Sequence, residues 1–386
     1  MGIQDGQAVR VLYSIGSKFG GGGIGTTAYY GALGLYRHGM LQRVLCGSYR
    51  LGEIPPEKIR AVGLPDRALR KLASLDSSGS LWHLQAVLFD AWASRHLEPA
   101  DVFHVWGNYG LRSLRRARGM GMVTVVERAN AHPIYQARLL KEEFNRWGLS
   151  FQIPQLTIER GLAEMALADY VLIPSDFVRQ SFLEEGLPEE RLIQIPFGVD
   201  ITRFHPPEVP AIHSFRALFV GQVGIRKGIP YLLEAWRRLG WRDAELWLVG
   251  RVLPECRPIM QRYPDLPGLR LIGHLDDPVE AYQQADLFVF PSIEEGSALV
   301  TYEALACGLP VVTTPNAGSV VRDGVEGFIV PIRDVDALAA ALERLRADER
   351  LRREMGRVAR ARAEEFTWEG HGDSLAQTYE AIGSRV

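Results

Sequence analysis

Short apolar runs alternate with longer helical stretches along the whole chain, and this alternation limits the possible folds more than any other feature. Such alternation predicts βαβ units, which build parallel sheets covered by helices. The predicted strands of a first series cover residues 9–15, 43–47, 101–106, 122–127 and 169–174. Those of a second series cover residues 216–221, 245–250, 269–273, 286–291, 310–314 and 327–331. The chain is therefore predicted to be an α/β protein.

Each series opens with a strand that runs into a glycine-rich turn and a helix. A chain of 386 residues exceeds what one hydrophobic core usually serves, so we expect two domains. The proline-rich stretch 205–215 interrupts the pattern and marks the boundary. We predict Rossmann-like domains over residues 1–205 and 206–365. Ligands of such sheets bind beyond the carboxyl ends of the strands, so the cleft between the domains is the expected site.

Composition excludes several other classes of protein. A formal net charge of −2 leaves no electrostatic footprint for nucleic acid. The three cysteines are far apart and form no CxxC pair, which favours free thiols in a reducing compartment over disulfides or a zinc site. The first residues lack a secretion signal, and no apolar run reaches the roughly 18 residues of a spanning helix. We predict a cytoplasmic protein and leave peripheral contact with the inner membrane surface open.

Two glycine-rich turns are candidates for phosphate binding. Residues 20–25, GGGGIG, fit a GxGxxG pattern after a strand, but the next strand ends on Arg50 rather than on the acid that a dinucleotide fingerprint needs. This turn is either a plain connection or a loop whose amides approach a diphosphate. In the second turn Arg226 and Lys227 lie beside glycines. They are either a solvated surface pair or a binding site for an anion.

Two acids stand out in the segment 294–312, which reads EEGSALVTYEALACGLPVV. We expect a helix to begin at Ser297, a good N-cap residue, so Glu295 lies in the loop before it and Glu303 in its second turn. Eight helical residues climb about 12 Å, so the acids are no facing glycosidase pair. They are either surface acids or separate contacts along one elongated ligand, with the helix amides between them for a phosphate.

This segment has the frame PS…EG…EA…G.PVV, with two glutamates separated by seven residues, and it resembles the nucleotide-sugar-binding domain of the family-4 retaining glycosyltransferases. Further agreement is found in residues 168–180, 195–204, 227–236, 323–331 and 366–370. The resemblance implies the GT-B architecture, in which two Rossmann-like domains face each other across a cleft. It also implies that a C-terminal helix, residues 366–386, returns to the N-terminal domain.

The resemblance assigns roles to residues on the donor side. Glu303 would bind the ribose hydroxyls, Glu295 would face the donor sugar, and Lys227 would bind the diphosphate with help from Arg226. The other donor contacts would be the amides of Leu299 and Val300, the covering loop at Gly22 and Gly23, and the loop at His274 and Leu275 near the base.

The acceptor side is less explicit. The family often has a histidine close to the donor sugar at the end of a central strand. His132 is the first candidate for this position and Glu127 the second, although a lone loop histidine is more often plain polar surface. Trp106 and Asn108 either shape an acceptor cleft or serve packing and a turn.

The function implied is transfer of a sugar from a UDP- or GDP-sugar to a glycan, glycolipid or small-molecule acceptor, in cell-surface polysaccharide or glycoconjugate synthesis. No metal and no cofactor are expected, because cations and helix amides would stabilise the leaving group. A non-hydrolysing sugar-nucleotide epimerase and a non-catalytic nucleotide-binding scaffold are the alternatives. The arginines of residues 111–119 form either a solvated helix face or a contact with an anionic membrane.

Overall fold

The structure, a computed structural model, describes residues 9–73, 76, 79–209 and 213–384. Part of the predicted boundary stretch, residues 210–212, lies outside this set, as do residues 1–8. Within the described residues no helix combines the length and the apolar character that crossing a bilayer requires.

Two separate sheets, parallel throughout, organise the chain. The first has seven strands in the order β3-β2-β1-β4-β5-β6-β7, and the second has six in the order β10-β9-β8-β11-β12-β13. The strands are β1 Val11–Phe19, β2 Leu41–Tyr49, β3 Ile59–Ala61, β4 Val102–Trp106, β5 Val123–Glu127, β6 Tyr170–Ile173, β7 Leu192–Gln194, β8 Phe215–Val220, β9 Ala244–Val249, β10 Leu269–Gly273, β11 Leu287–Phe290, β12 Val311–Thr313 and β13 Gly327–Ile329. The two-domain α/β fold predicted from the alternating pattern is confirmed.

Helices connect successive strands and cover the sheets, as parallel pairing requires. They are α1 Ile24–Arg37, α2 Leu64–Ala73, α3 Ser80–Arg95, α4 Leu111–Gly119, α5 Pro133–Arg146, α6 Gln155–Leu167, α7 Asp176–Glu184, α8 Ile229–Leu239, α9 Arg257–Met260, α10 Val279–Gln283, α11 Leu299–Ala306, α12 Val335–Ala347, α13 Glu349–Glu364 and α14 Trp368–Gly383. Helix α8 illustrates the local cause, because its apolar residues recur at helical spacing and are buried against the second sheet.

All eleven strands predicted from apolar runs are present. The two that were missed, β3 and β7, have three residues each and lie at the two edges of the first sheet. An edge strand is covered less completely than a central one, and none of the residues of β3 and β7 is fully buried. They therefore lack the continuous apolar run that marks central strands of a parallel sheet.

The last helix, α14, leaves the second domain and packs on α1 of the first. Its residues Leu375 and Tyr379 belong to the core around β1 and β4. The two helices approach closely at Gly34 and Gly372, where a Cβ on either glycine would overlap the backbone of the other. The predicted return of the C-terminal helix to the N-terminal domain is confirmed. The predicted domain boundaries, between residues 205 and 206 and between residues 365 and 366, stay predictions.

The contact between α1 and α14 generates a stability prediction. Gly34→Ala should lower the midpoint of thermal unfolding, because the added methyl group overlaps the Cα of Gly372 and overpacking costs about 1–3 kcal/mol. This loss should exceed the roughly 0.5–1 kcal/mol that alanine gains over glycine inside a helix. Gly119→Ala, at the end of α4 with open space around its Cα, is the matched control and should leave the midpoint nearly unchanged. Equal midpoints for both variants would contradict the close helix contact.

Candidate active site

Three adjoining cavities follow the carboxyl ends of the strands. A central cavity of about 290 Å³ lies between the domains. A cavity in the C-terminal domain, named the C-terminal cavity, shares Val220, Gly221 and Gln222 with it. A cavity in the N-terminal domain, named the N-terminal cavity, shares Ile24, Ala129 and Asn130 with it. Because neighbouring cavities share lining residues, they adjoin one another along the cleft.

Helix α11 begins at the central cavity. It starts at Leu299 with Ala298 as its N-cap, so the expectation that Ser297 caps the helix is wrong. The Ser297 hydroxyl instead lies 2.9 Å from the Tyr302 hydroxyl and donates to the Gly318 carbonyl at 3.0 Å. Tertiary partners therefore replace the local cap. Leu299 and Val300, the first two residues of the helix, both help to line the central cavity.

Glu303 lies in the second turn of α11 and is partly exposed. The hydroxyl of Tyr282, a fully buried residue of α10, donates to one Glu303 carboxylate oxygen at 2.8 Å. Burial raises the pKa of Glu303, and the Tyr282 hydroxyl opposes this shift by stabilising the carboxylate. Tyr282 therefore holds the carboxylate in one orientation.

Two cations and two acids form ion pairs beside the central cavity, which Lys227 and Glu295 line. Arg226 Nη2 lies 2.8 Å from an oxygen of the fully buried Glu294, and the Lys227 ammonium is in contact with Glu295. Burial lowers the pKa of Lys227 to about 7, and the positive charge of Arg226 contributes to this lowering. The negative charge of Glu294 opposes that shift, because a nearby opposite charge favours the ammonium form. Three residues predicted as catalytic, Lys227, Arg226 and Glu295, are thus brought together.

The loop that carries these acids also joins the domains. The Ser175 hydroxyl of the N-terminal domain donates to the Gly296 carbonyl at 2.5 Å. The Gln136 side-chain amide of the same domain donates to a Glu294 carboxylate oxygen at 3.0 Å. Gly296 itself is pressed against the Ala129 carbonyl, which a Cβ at this position would overlap. The position of Glu295 in the cleft therefore depends on contacts from both domains.

The remaining predicted donor contacts lie around the same cleft. His274 and Leu275 line the C-terminal cavity. Gly23 lines the central cavity from the N-terminal domain with a left-handed φ of 61°, and Gly22 precedes it. A Cβ at either glycine would meet open space, so the absence of a side chain at this turn matters for approach by a ligand rather than for packing.

The N-terminal cavity lies where β4 and β5 end. Trp106 and Glu127 are register partners in these strands, and both line the cavity. The Glu127 carboxylate lies 3.0 Å from Nε2 of the fully buried His104, whose Nδ1 lies 2.5 Å from the Tyr379 hydroxyl. The hydrogen bond to Glu127 comes from the Tyr13 hydroxyl, at 3.4 Å, whereas Nε2 of His104 has no hydrogen-bond partner among the described residues. Helix α14 thereby contacts His104, which lies beside an acid of the N-terminal cavity.

Asn108 lines the same cavity in an unusual backbone conformation. Its φ is 73°, the left-handed region that non-glycine residues seldom adopt. The buried Glu164 carboxylate accepts the backbone amides of Asn108 and Gly110, at 2.5 and 2.7 Å. These two bonds hold the β4–α4 loop in place against the cavity.

His132 is not brought to the cleft. It caps the start of α5, is buried, and packs edge-on against Phe182 with ring centroids 5.2 Å apart. Burial lowers its pKa to about 4, so it is neutral near neutral pH. Among the described residues that line the three cavities, the second candidate, Glu127, is present and His132 is not.

Several cleft residues were not predicted from the sequence to bind a ligand. Asn130 joins the N-terminal and central cavities, Gln222 joins the central and C-terminal cavities, and Arg128 lines the N-terminal cavity. The position of Arg128 directly after a strand was a usable clue, because ligands bind at carboxyl ends. Tyr282 of α10 contacts Glu303, and His104 of β4 contacts Glu127, but each lies more than 20 residues from its partner in sequence.

Two observations concern residues outside the cleft and possible metal ligands. Arg112, Arg115 and Arg116 of α4 are exposed. Among residues 9–73, 76, 79–209 and 213–384, no group of three or more histidine, cysteine, aspartate and glutamate side chains is arranged to hold a metal ion.

Comparison with known proteins agrees with this geometry. Residues 214–348 match the family described as glycosyl transferases group 1. An MMP alpha-(1->4)-mannosyltransferase of Mycolicibacterium hassiacum is 32% identical over 305 residues, which cover 74% of this chain and 72% of that protein. The chain belongs to the group 1 glycosyl transferases.

Other relatives of this group 1 chain match over shorter stretches. A D-inositol 3-phosphate glycosyltransferase of Geodermatophilus obscurus is 34% identical over 237 residues, and the match covers 55% of this chain and 52% of that protein. The chain thus spans about half the length of the first curated relatives it matches. Among solved structures, WaaG, a glycosyltransferase involved in lipopolysaccharide biosynthesis, superposes with a TM-score of 0.70 at 18% identity, covering 95% of this chain and 99% of that one. This likeness confirms the GT-B fold.

The contact at Gly296 generates a prediction about the cleft. Gly296→Ala should hold the domains apart, because the new methyl group overlaps the Ala129 carbonyl, a backbone atom that cannot rotate away. Small-angle scattering should give a larger radius of gyration than that of the unmodified protein, with unchanged circular dichroism. Gly119→Ala again serves as the control. An unchanged radius for Gly296→Ala would mean that the loop does not set the domain spacing.

Proposed function

We propose that this protein transfers a sugar from a nucleotide diphosphate sugar to an acceptor hydroxyl with retention of configuration. The observation that carries the proposal is the central cavity, which is lined by Lys227 and by the first residues of α11, with Arg226 next to Lys227 in the chain. Cations and helix amides together form a site for a diphosphate. Family membership supports the same chemistry.

The donor would lie along the C-terminal side of the cleft. The base would occupy the C-terminal cavity beside His274 and Leu275, and Glu303 would accept hydrogen bonds from the ribose hydroxyls. The diphosphate would reach the amides of Leu299 and Val300, with the Gly22–Gly23 turn over it. The sugar would then face Glu295 in the central cavity.

The reaction needs no covalent intermediate with the protein. The bond from the anomeric carbon to the diphosphate oxygen breaks, and the acceptor oxygen bonds to that carbon on the same face. The acceptor proton passes to the departing phosphate. Lys227 and Arg226 would stabilise the charge that develops on the leaving group. Glu127 would orient the acceptor hydroxyl from the N-terminal cavity.

The two glutamates are expected to differ when neutralised. Glu303→Gln should weaken binding of UDP or GDP by about 1–3 kcal/mol, because the ribose loses a charged acceptor. Glu295→Gln should lower kcat while nucleotide affinity stays the same or rises, because the Lys227 ammonium loses its pairing carboxylate. Calorimetry with each nucleotide, beside steady-state rates of transfer, separates the two roles.

Glu280 is an exposed residue of α10, and Glu280→Gln is the matched control. It should change neither nucleotide affinity nor kcat. Equal loss of nucleotide affinity in both test variants, or in neither, would refute the assignment of ribose to Glu303 and sugar to Glu295. Failure of UDP and GDP to bind the unmodified protein would argue against the proposed function itself.

Metal independence is part of the proposal. Lys227 and Arg226 would take the role that a divalent cation plays in other transferases. Transfer should therefore continue at an unchanged rate in EDTA. Loss of activity on chelation, with recovery in manganese or magnesium, would assign the leaving-group charge to a metal ion instead.

A cytoplasmic location is also proposed, because Cys46, Cys256 and Cys307 are free and buried, which fits a reducing compartment. Contact between an anionic membrane and the exposed arginines of α4 stays a prediction.

A further inference from the structure

Arg128 is a buried cation without a partner acid among the described residues. It follows β5, lines the N-terminal cavity and is only 8% exposed. Its Nη1 donates to the Asn108 side-chain oxygen at 3.3 Å, and its buried Nε has no hydrogen-bond partner in the described chain. A guanidinium stays charged in proteins, so this arrangement leaves a buried charge uncompensated.

The neighbouring arginine is arranged differently. Arg160, also at this cavity, lies 2.6 Å from Asp90 and 3.3 Å from Glu164. Asp90 further accepts the backbone amides of Arg112 and Ser113, at 2.7 and 2.9 Å. Of the two buried arginines at this cavity, Arg160 is therefore paired with acids and Arg128 is not.

The other acids near Arg128 already have partners. Glu164 accepts two backbone amides and faces Arg160, and burial raises its pKa to about 7, which reduces its charge near neutral pH. Glu127 faces His104 at 3.0 Å and the Tyr13 hydroxyl at 3.4 Å. Burial lowers the pKa of Arg128, and the charge of Glu164 opposes this. Within the described residues, the missing counter-charge is therefore not supplied by the protein.

The space around Arg128 is built to keep its guanidinium at the cavity. A Cβ at Gly107 would lie 2.5 Å from Arg128 Nη1, so a side chain there would displace it. A Cβ at Gly161 would lie 3.4 Å from the same atom. The cavity beside it holds about 190 Å³ and continues through Asn130 into the central cavity. A ligand bound at Arg128 therefore reaches toward the donor.

We propose that Arg128 binds an oxyanion of the acceptor, a carboxylate or a phosphate, so that the acceptor class is anionic alcohols. Arg128 presents a planar fork of donors that matches either oxyanion. The hydroxyl of the same molecule would be oriented by Glu127, the preceding residue. The acceptor role rests on the proposed function, whereas binding of an anion at Arg128 does not.

The test uses inorganic phosphate and D-glycerate as probes. Each is titrated by calorimetry into the full chain at saturating UDP or GDP, which keeps the probe from the diphosphate site. We expect at least one probe to bind the unmodified protein. Arg128→Gln should weaken that binding at least about tenfold, because a charged hydrogen-bonding partner is lost. Arg128→Lys keeps the charge without the fork and should weaken it less.

Arg115→Gln, which removes an exposed arginine of α4, is the control and should bind the probes within about twofold of the unmodified protein. Binding of phosphate alone would assign a phosphate-bearing acceptor, and binding of glycerate alone a carboxylate. Absence of binding of both probes to the unmodified protein, or equal affinity in Arg128→Gln, would overturn the inference and favour a neutral acceptor.

Folding is checked through nucleotide binding, which all variants should retain. If Arg128→Gln does not fold, nuclear magnetic resonance of the unmodified protein provides a second test. The Nε–H resonance of Arg128 is assigned by its absence from the spectrum of Arg128→Lys. This resonance should shift when the probe that binds, phosphate or glycerate, is added. A stationary resonance would overturn the inference. If nucleotides do not bind the unmodified protein, the proposed function fails, circular dichroism replaces nucleotide binding as the folding check, and the difference in anion affinity between the unmodified protein and Arg128→Gln still decides this inference. If nucleotides bind and neither anion does, only this inference fails.

Discussion

The contact between the 294–297 loop and the N-terminal domain is the constraint on which the cleft depends. Gly296 meets the Ala129 carbonyl so closely that only glycine fits, and Ser175 and Gln136 bond to the loop on either side. A second contact, from Arg333 to Glu143, joins the domains at another point, with Nε 2.6 Å from the carboxylate. Because the loop also carries Glu295 and leads into α11, the domain contact and the donor site are one feature.

The electrostatics of the cleft follow from burial. Lys227 is largely buried and Arg226 is partly buried. Lys227 is paired with Glu295, and Arg226 with Glu294. A diphosphate would provide the same compensation, so its binding exchanges one set of opposite charges for another rather than neutralising bare cations. On the N-terminal side of the cleft, the buried charge of Arg128 is not paired with an acid among the described residues. This difference in charge pairing distinguishes the two ends of the cleft.

Much of the fold was predictable because parallel strands are buried on both faces and appear in the sequence as continuous apolar runs. The helix start at Ser297 was mispredicted because its hydroxyl finds partners at Tyr302 and Gly318 instead of the helix amides. Local propensity cannot anticipate such tertiary partners. The same limit explains His132, whose loop position suggested an active-site residue but whose ring packs against Phe182.

The sequence by itself determined the two α/β halves, the glycine turns and the positions of Glu295, Glu303 and Lys227 after the carboxyl ends of strands, because these features are local in the chain. Only the tertiary structure decided which distant residues meet them. Tyr282 at Glu303, and His104 with Tyr379 behind Glu127, act across 21 to 275 residues of sequence separation. The physical reason is that hydrogen bonds and charge compensation are set by distances of about 3 Å in space, which spacing along the chain does not encode.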